Sequence, residues 1–273
     1  KGVELELNYI PVNKKNFTWK INLNLTHYKN KITYLPDEKK TTVMDGHGGY
    51  MNGSRYYGED LPINTWYMKR FAGLSEDGLS LWYYTDKETN EEKTTTTYST
   101  GDFYLCGDPN PDLYGGFGTS ITFHGFDLST QFSYLVGGLT YDYGYAGMMG
   151  NPTATSVGNR WHKDVLKAWS PENPSSTIPR WYFNDLNTTG SSDRFLIDGS
   201  YLNLQNIQVG YTLPDSWTSH LKIKNLRLYF VCDNVYYWSK RKGLDPRRSI
   251  SGVGTSGKIA PFRTYSGGIS LQF

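Results

Sequence analysis

Phe262-Arg-Thr-Tyr-Ser-Gly-Gly-Ile-Ser-Leu-Gln-Phe273 closes the chain, and its reading decides the fold. Tyr265, Gly267, Ile269, Leu271 and Phe273 share one parity; Thr264, Ser266, Gly268, Ser270 and Gln272 share the other. A side-chain period of two places the first set on one face of a β-strand and the second on the opposite face. One face is apolar, and the other is built of hydroxyls, an amide and glycine. Frayed ends are the rule in soluble domains, so a strand that finishes on an aromatic needs surroundings that hold it. Lipid outside a β-barrel provides them; the edge of a soluble sandwich is the alternative, and this strand alone leaves both open.

The same alternation recurs upstream. Val3, Leu5, Leu7 and Tyr9 oppose Glu4, Glu6 and Asn8; after a polar turn at 13–16, Phe17, Trp19, Ile21, Leu23 and Leu25 oppose Thr18, Lys20, Asn22, Asn24 and Thr26. Eleven residues at barrel tilt rise roughly 25–30 Å, the height of an outer-membrane apolar band, whereas sandwich strands commonly stop at about five or six. Phe117 to Phe123 and Phe126 to Tyr134 alternate across His124-Gly125, a two-residue hairpin signature. Tyr201 to Leu213 alternates with a parity change between Leu204 and Ile207, which predicts a bulge. Leu226, Leu228, Phe230 and Cys232 face one way, and Arg227, Tyr229 and Asp233 the other.

Seven strands result, and their connections sort by length. Those at 13–16, 124–125 and 214–220 are short; those at 28–114, 137–193 and 239–261 are long. Short turns at one rim and long loops at the other are the pattern of an outer-membrane barrel, and a sandwich has no reason to sort its loops so. Lys20 and Arg227 fall on the inner face of such a barrel. The first long connection far exceeds ordinary loop length, so a folded excursion with its own hairpins is expected, with strands near Ile63–Phe71 and Leu79–Tyr84. The second is expected to hold a short helix around Arg160–Trp169. Seven strands cannot close a wide barrel, and a pattern that begins at residue 1 suggests the later part of something longer.

Composition agrees. Aromatic residues make up 16% of 273 residues, with 23 Tyr, 12 Phe and 8 Trp, yet mean hydropathy is −0.58. Interfacial girdles, a polar lumen and polar loops account for that pairing. No run reaches the ~18 apolar residues of a spanning helix. A net charge of +2 gives no pointer to nucleic acid. Cys106 and Cys232 read as free thiols without metal-ligand spacing. The histidines His27, His47, His124, His162 and His220 are scattered, no nucleophile-elbow context exists, and no catalytic residue, cofactor or metal is expected. Asp45-Gly-His-Gly-Gly lacks the oxygen donors of a calcium loop and reads as a glycine turn.

The loop aromatics Trp66, Tyr67, Trp82, Trp161, Trp169, Trp181, Tyr237 and Trp238 are candidates for contact with substrate or a covering partner, since aromatic faces stack on sugar rings or hold peptide side chains. Packing within the loops is the competing role for each. Lys240, Arg241, Lys242, Arg247 and Arg248 form a basic patch suited to lipopolysaccharide phosphates or to acidic groups of a partner.

The last eighty residues resemble the C-terminus of the SusC/RagA family of TonB-dependent outer-membrane transporters. The likeness is carried by Asp198-Gly-Ser-Tyr-Leu-Asn-Leu-Gln-Asn-Ile-Gln-Val-Gly-Tyr-Thr-Leu-Pro214, Asn234-Val-Tyr-Tyr-Trp238, Gly243-Leu-Asp-Pro246 and Pro261-Phe-Arg-Thr-Tyr-Ser-Gly-Gly268. Upstream, Lys1-Gly-Val-Glu-Leu-Glu-Leu7, Phe17-Thr-Trp19, Asn30-Lys-Ile-Thr33, Gly107-Asp-Pro-Asn-Pro111 and Gly115-Gly-Phe117 are similar too. Cys232-Asp233 departs from the family's usual Gly-Gln, and Arg247 from a common acidic residue. The resemblance implies that residues 1–273 are the C-terminal segment of a 22-stranded antiparallel transmembrane β-barrel, with the plug domain and earlier strands upstream. It implies an importer of oligosaccharides or oligopeptides, energised by TonB and covered by a SusD-like surface lipoprotein, in the outer membrane of a Gram-negative bacterium. It also implies that Phe273 is a signal read by the outer-membrane assembly machinery. The residues themselves leave two rivals, a passive porin-type barrel and a secreted glycan-binding β-sandwich.

Overall fold

The computed structural model describes residues 1–154, 160–185, 190–218, 220, 222–245, 247, 252 and 261–273. Seven long strands make one antiparallel sheet: β1 (Gly2–Lys14), β2 (Phe17–Tyr28), β11 (Leu113–Phe123), β12 (Phe126–Val136), β15 (Tyr201–Thr212), β16 (Asn225–Ser239) and β17 (Thr264–Gln272), hydrogen-bonded in that order. Between β2 and β11 lie β3 (Thr42–Met44), β4 (His47–Asn52), β5 (Arg55–Gly58), β6 (Thr65–Lys69), β7 (Phe71–Leu74), β8 (Ser80–Thr85), β9 (Glu92–Thr95) and β10 (Phe103–Leu105). Between β12 and β15 lie β13 (Leu139–Tyr141), helix α1 (Tyr143–Met148), a 3-10 turn at Lys163–Lys167 and β14 (Leu196–Asp198); α2 (Asp215–Thr218) follows β15.

Register turns the alternation of each strand into a two-faced wall. Leu7, Leu23, Phe117, Phe132, Leu204 and Tyr236 stand side by side across six strands. Three rows nearer the short turns, Phe17, Phe123, Phe126, Tyr211, Leu228 and Ile269 do the same. Many of these side chains are exposed, among them Leu7, Phe126 and Ile269. Water does not tolerate such a continuous apolar surface, and lipid does.

The opposite face carries Asn8, Asn22, Gln131, Asn206 and Asp233 along one row. Asn206 donates to Asp233 at 2.6 Å. Arg227 of β16 reaches across β15 to Asp127 of β12, its Nε and Nη2 donating at 2.9 and 2.6 Å. Gly210 makes that span possible: a Cβ there would stand 2.5 Å from Arg227 Nη2. Lys20 and Arg227 thus occupy the polar face, as their parity requires.

The connections fall as expected. Lys15-Asn16, His124-Gly125 and the α2 segment join strands at one rim; His124 and Gly125 take φ of 46° and 88°, the left-handed pair a tight hairpin favours. The expected bulge is present, with Gln205 left unpaired between Leu204 and Asn206. A second bulge between Tyr9 and Val12 holds Pro11 on the edge strand β1, where a missing N–H costs least. β1 and β17 are the two edges of the sheet, as in a segment cut from a larger closed barrel.

The first excursion is folded, with hairpins of its own and strands at both anticipated places. The anticipated helix at Arg160–Trp169 is only the 3-10 turn Lys163–Lys167, capped by His162 Nδ1 accepting from Asp164 N. Trp161 and Trp169 flank it with indoles used for packing, Trp161 against Trp181 and Trp169 over Gly78. The helical segment is instead α1, where Asp142 accepts from Tyr145 N. Asp45-Gly46 is a two-residue turn joining Met44 to His47, with φ of 49° and 83°. Among the described residues no helix is long and apolar enough to cross a membrane.

Candidate functional site

The long-loop rim is where the chemistry gathers. The two excursions share one core: Trp66 and Met68 of β6 pack with Tyr141, Met149 and Phe195 from beyond β12. Trp66 lies 3.1 Å from the Arg55 guanidinium, donates its indole N–H to Leu139 O and pairs with the Tyr141 ring. Burial pulls Arg55 down to about 10 and Arg194, beside the same core, also to about 10.

Lys69 ends β6 with its ammonium caged by three carbonyls, donating to Tyr98 at 2.5 Å, Ser99 at 3.2 Å and Gly101 at 2.6 Å. The Tyr98 and Phe103 rings lie 4.6 and 5.0 Å away. Desolvation lowers its pKa, and the carbonyl cage offsets part of that penalty.

These positions correct the contact roles expected of Trp66, Tyr67 and Trp82. Trp66 and Trp82 are 0% and 1% exposed and Tyr67 is 7% exposed; they build the excursion and present no face to a ligand. Trp82 meets Phe71 and Tyr98 edge-on, and Tyr67 stacks on Phe103. Trp161 and Trp181 form a T-shaped pair at 5.5 Å, and both indoles donate to Gly150 O at 3.1 Å. Tyr182 and Phe183 beside them are exposed. Trp169 covers Gly78. The neighbours Tyr237 and Trp238 part company: Trp238 pairs with Leu202 on the apolar face, while Tyr237 pairs with Asn203 on the polar face. Phe273 is exposed beyond the end of β17.

The basic patch also divides. Arg241 Nε donates to the buried Asp142 at 2.6 Å. Arg247 is bridged to Asp245 at 2.8 Å through both Nε and Nη2, and its Nη1 donates to Asn203 at 2.7 Å. The hydrogen bonds to Asp245 hold Arg247 above its ordinary pKa. Arg248 and Pro246 lie outside the described residues.

Where the polar face meets the base of the excursions is a cavity of about 590 Å³. Tyr28 and Tyr114, edge to face at 6.0 Å, stand on one side, and Tyr201, Ser133 and Arg247 on another. Glycines 137, 138 and 199 bring backbone into its wall. Arg247 is the only charged group among the described lining residues, and Asp245 already neutralises it. A mixed aromatic and hydroxyl lining of this volume suits a small polar organic ligand. Sequence reasoning missed these three tyrosines. The available signal was position: each stands at the long-loop end of a strand, and Tyr28 and Tyr114 share the parity of the polar rows.

No family model matches the chain. It is 28% identical to TonB-dependent receptor P3 of Formosa agariphila, over 100% of this chain and 28% of that protein. It is 28% identical to TonB-dependent receptor P26 of the same organism, over 95% and 27%, and 26% identical to TonB-dependent receptor SusC of Bacteroides thetaiotaomicron, over 100% and 26%. Among solved structures it superposes on the RagAB peptide transporter with a TM-score of 0.81 at 23% identity, covering 100% of this chain and 29% of that one. The open-open state of the RagAB peptide importer gives 0.79 at 24% identity. The chain thus spans under a third of the length of each relative it matches.

Proposed function

We propose, from the premise that this chain is a full-length match to part of the SusC/RagA type of TonB-dependent transporter and carries its outer-membrane barrel fold, that residues 1–273 are the C-terminal wall of an active nutrient importer. The observation that carries the reading is the seven-stranded sheet itself, apolar on one face and amide-rich on the other, with every long connection at one rim. Function in such a wall is gated passage, not a reaction. The polar face lines the passage, and the cavity at its long-loop end is a station for the incoming solute. TonB acts through a plug encoded upstream, and a SusD-like lipoprotein covers the mouth against the excursions. Oligosaccharides or oligopeptides are the cargo; in support, a peptide importer is among the matching structures and the curated relatives are named TonB-dependent receptors.

The test is growth of a deletion strain on defined glycans and peptides as sole nutrient, followed by uptake in complemented cells with and without the proton-motive force. Loss of growth on one polymer class, and uptake abolished when the force is collapsed, is the expected result. Uptake that persists without the force identifies a passive barrel, and unchanged growth on every nutrient removes the importer reading.

A further inference from the structure

The apolar face ends, at the long-loop rim of β16 and β17, in a groove of about 560 Å³ whose lining includes Tyr236, Trp238, Lys242 and Arg263. Tyr236 and Trp238 continue the outward row of Leu204 and Leu202; both are half exposed, their rings 4.8 Å apart and edge to face. Arg263 shares the outward parity of Tyr265, whose hydroxyl stands 3.5 Å from its Nη1. Lys242 enters from the loop above. Among the described residues the other arginines here are spoken for, Arg241 by Asp142 and Arg247 by Asp245. Lys242 and Arg263 are exposed and have no ion pair among the described residues.

We infer that this groove binds the phosphorylated, multiply acylated glycolipid of the outer leaflet. Two observations select that ligand. The aromatic pair stands at the rim of a lipid-facing wall, the depth at which amphipathic rings meet headgroups. The two uncommitted cations stand immediately above it, where an anionic headgroup stands above its acyl chains, and a guanidinium fork matches phosphate oxygens. Acyl chains lie along Tyr265 and Phe230, on successive rows below and stacked at 6.1 Å, and phosphate meets Lys242 and Arg263. The groove straddles the rim, since Tyr237 and Arg247 of the polar side also line it, and the glycolipid takes its outward half, at Tyr236, Trp238, Lys242 and Arg263. The site rests on the outer-membrane placement and not on the cargo or its energy source.

The test uses the folded, detergent-extracted full-length protein carrying this chain, with the folded barrel verified by its heat-modifiable mobility. Bisphosphorylated lipid A and its dephosphorylated counterpart are offered at equal acyl composition, and retention is read by native mass spectrometry. The bisphosphorylated lipid is retained preferentially, and the K242Q/R263Q pair weakens it about thirty-fold, two cations each acting as they do beside an anionic membrane surface. K242Q alone, on an exposed loop, weakens it about five-fold, and R263K, which keeps the charge and loses the fork, binds more weakly than the wild type and more tightly than R263Q. K240Q, two residues away and outside the lining of the groove, changes nothing. Equal retention of the two lipids, undiminished retention by K242Q and the pair, or displacement by inorganic phosphate alone each overturns the inference. Uptake by K242Q stays at the wild-type level, so loss of lipid binding is separable from loss of transport.

Discussion

The thiol of Cys106 and the ammonium of Lys69 both belong to the first excursion, and burial acts on them in opposite directions. Loss of solvent pushes Cys106 up to about 11 and pulls Lys69 down. For the thiol the neutral form is favoured by the fold; its contribution is complete below the ordinary thiol pKa and is lost as pH rises through about 11. Because the thiolate is the reactive form, alkylation of Cys106 at pH 8 should run about a hundred-fold slower than that of a free thiol, accelerating toward pH 11. Mass spectrometry of iodoacetamide adducts over a pH series checks this. Replacing Lys69 by Met removes the donor shared by Tyr98, Ser99 and Gly101, at a cost of about 2–4 kcal/mol. Amide exchange should then rise across residues 98–102 while β11 and β12 keep their protection. Neither role was legible in the sequence, because a lysine after Trp66-Tyr67-Met68 looks the same whether its head meets water or a ring of carbonyls.

For the elements, legibility followed coverage. β2 and β12 each have one apolar and one polar face, so their alternation is written in the residues and the strands could be anticipated, as could the bulge in β15. β6 is buried on both sides along Thr65–Lys69, and a strand covered twice carries no alternation to read. Trp66 and Tyr67 therefore looked available when they are core. Trp238 and Tyr237 are adjacent and point to opposite faces, a distinction that period two contains but that grouping them as loop aromatics discards. The two faces make a sharp contrast testable by substitution. Leu23→Arg, in the middle of the apolar row, should cost about 2–4 kcal/mol, whereas Asn22→Arg on the opposite face should be nearly neutral. Urea unfolding of the barrel in lipid vesicles measures both, and equal costs would mean that the faces have been assigned wrongly.

At the scale of the molecule, the two excursions share one core and an ion pair ties the second to the connection after β16. Arg241 fastens the connection after β16 to Asp142, which also caps α1 by accepting from Tyr145 N. Asp142→Asn keeps an acceptor for the cap and removes the charge that holds Arg241. Exchange should therefore rise at residues 240–245 and stay low in α1; equal loosening of both would show that the cap, not the ion pair, is the tie. The core beneath α1 has a further consequence, in the order of events. Its members, Trp66 and Met68 on one side and Tyr141, Met149 and Phe195 on the other, are separated in the chain by the hairpin of β11 and β12. If strands enter the membrane from the N-terminus onward, the first excursion reaches the outside with half of its core still waiting. It must hold an indole and a thioether bare until β11 and β12 have been threaded and residue 195 arrives. The excursion thus sets like a latch, late and all at once, and a pause in threading between β12 and β15 leaves its adhesive side open to the surroundings.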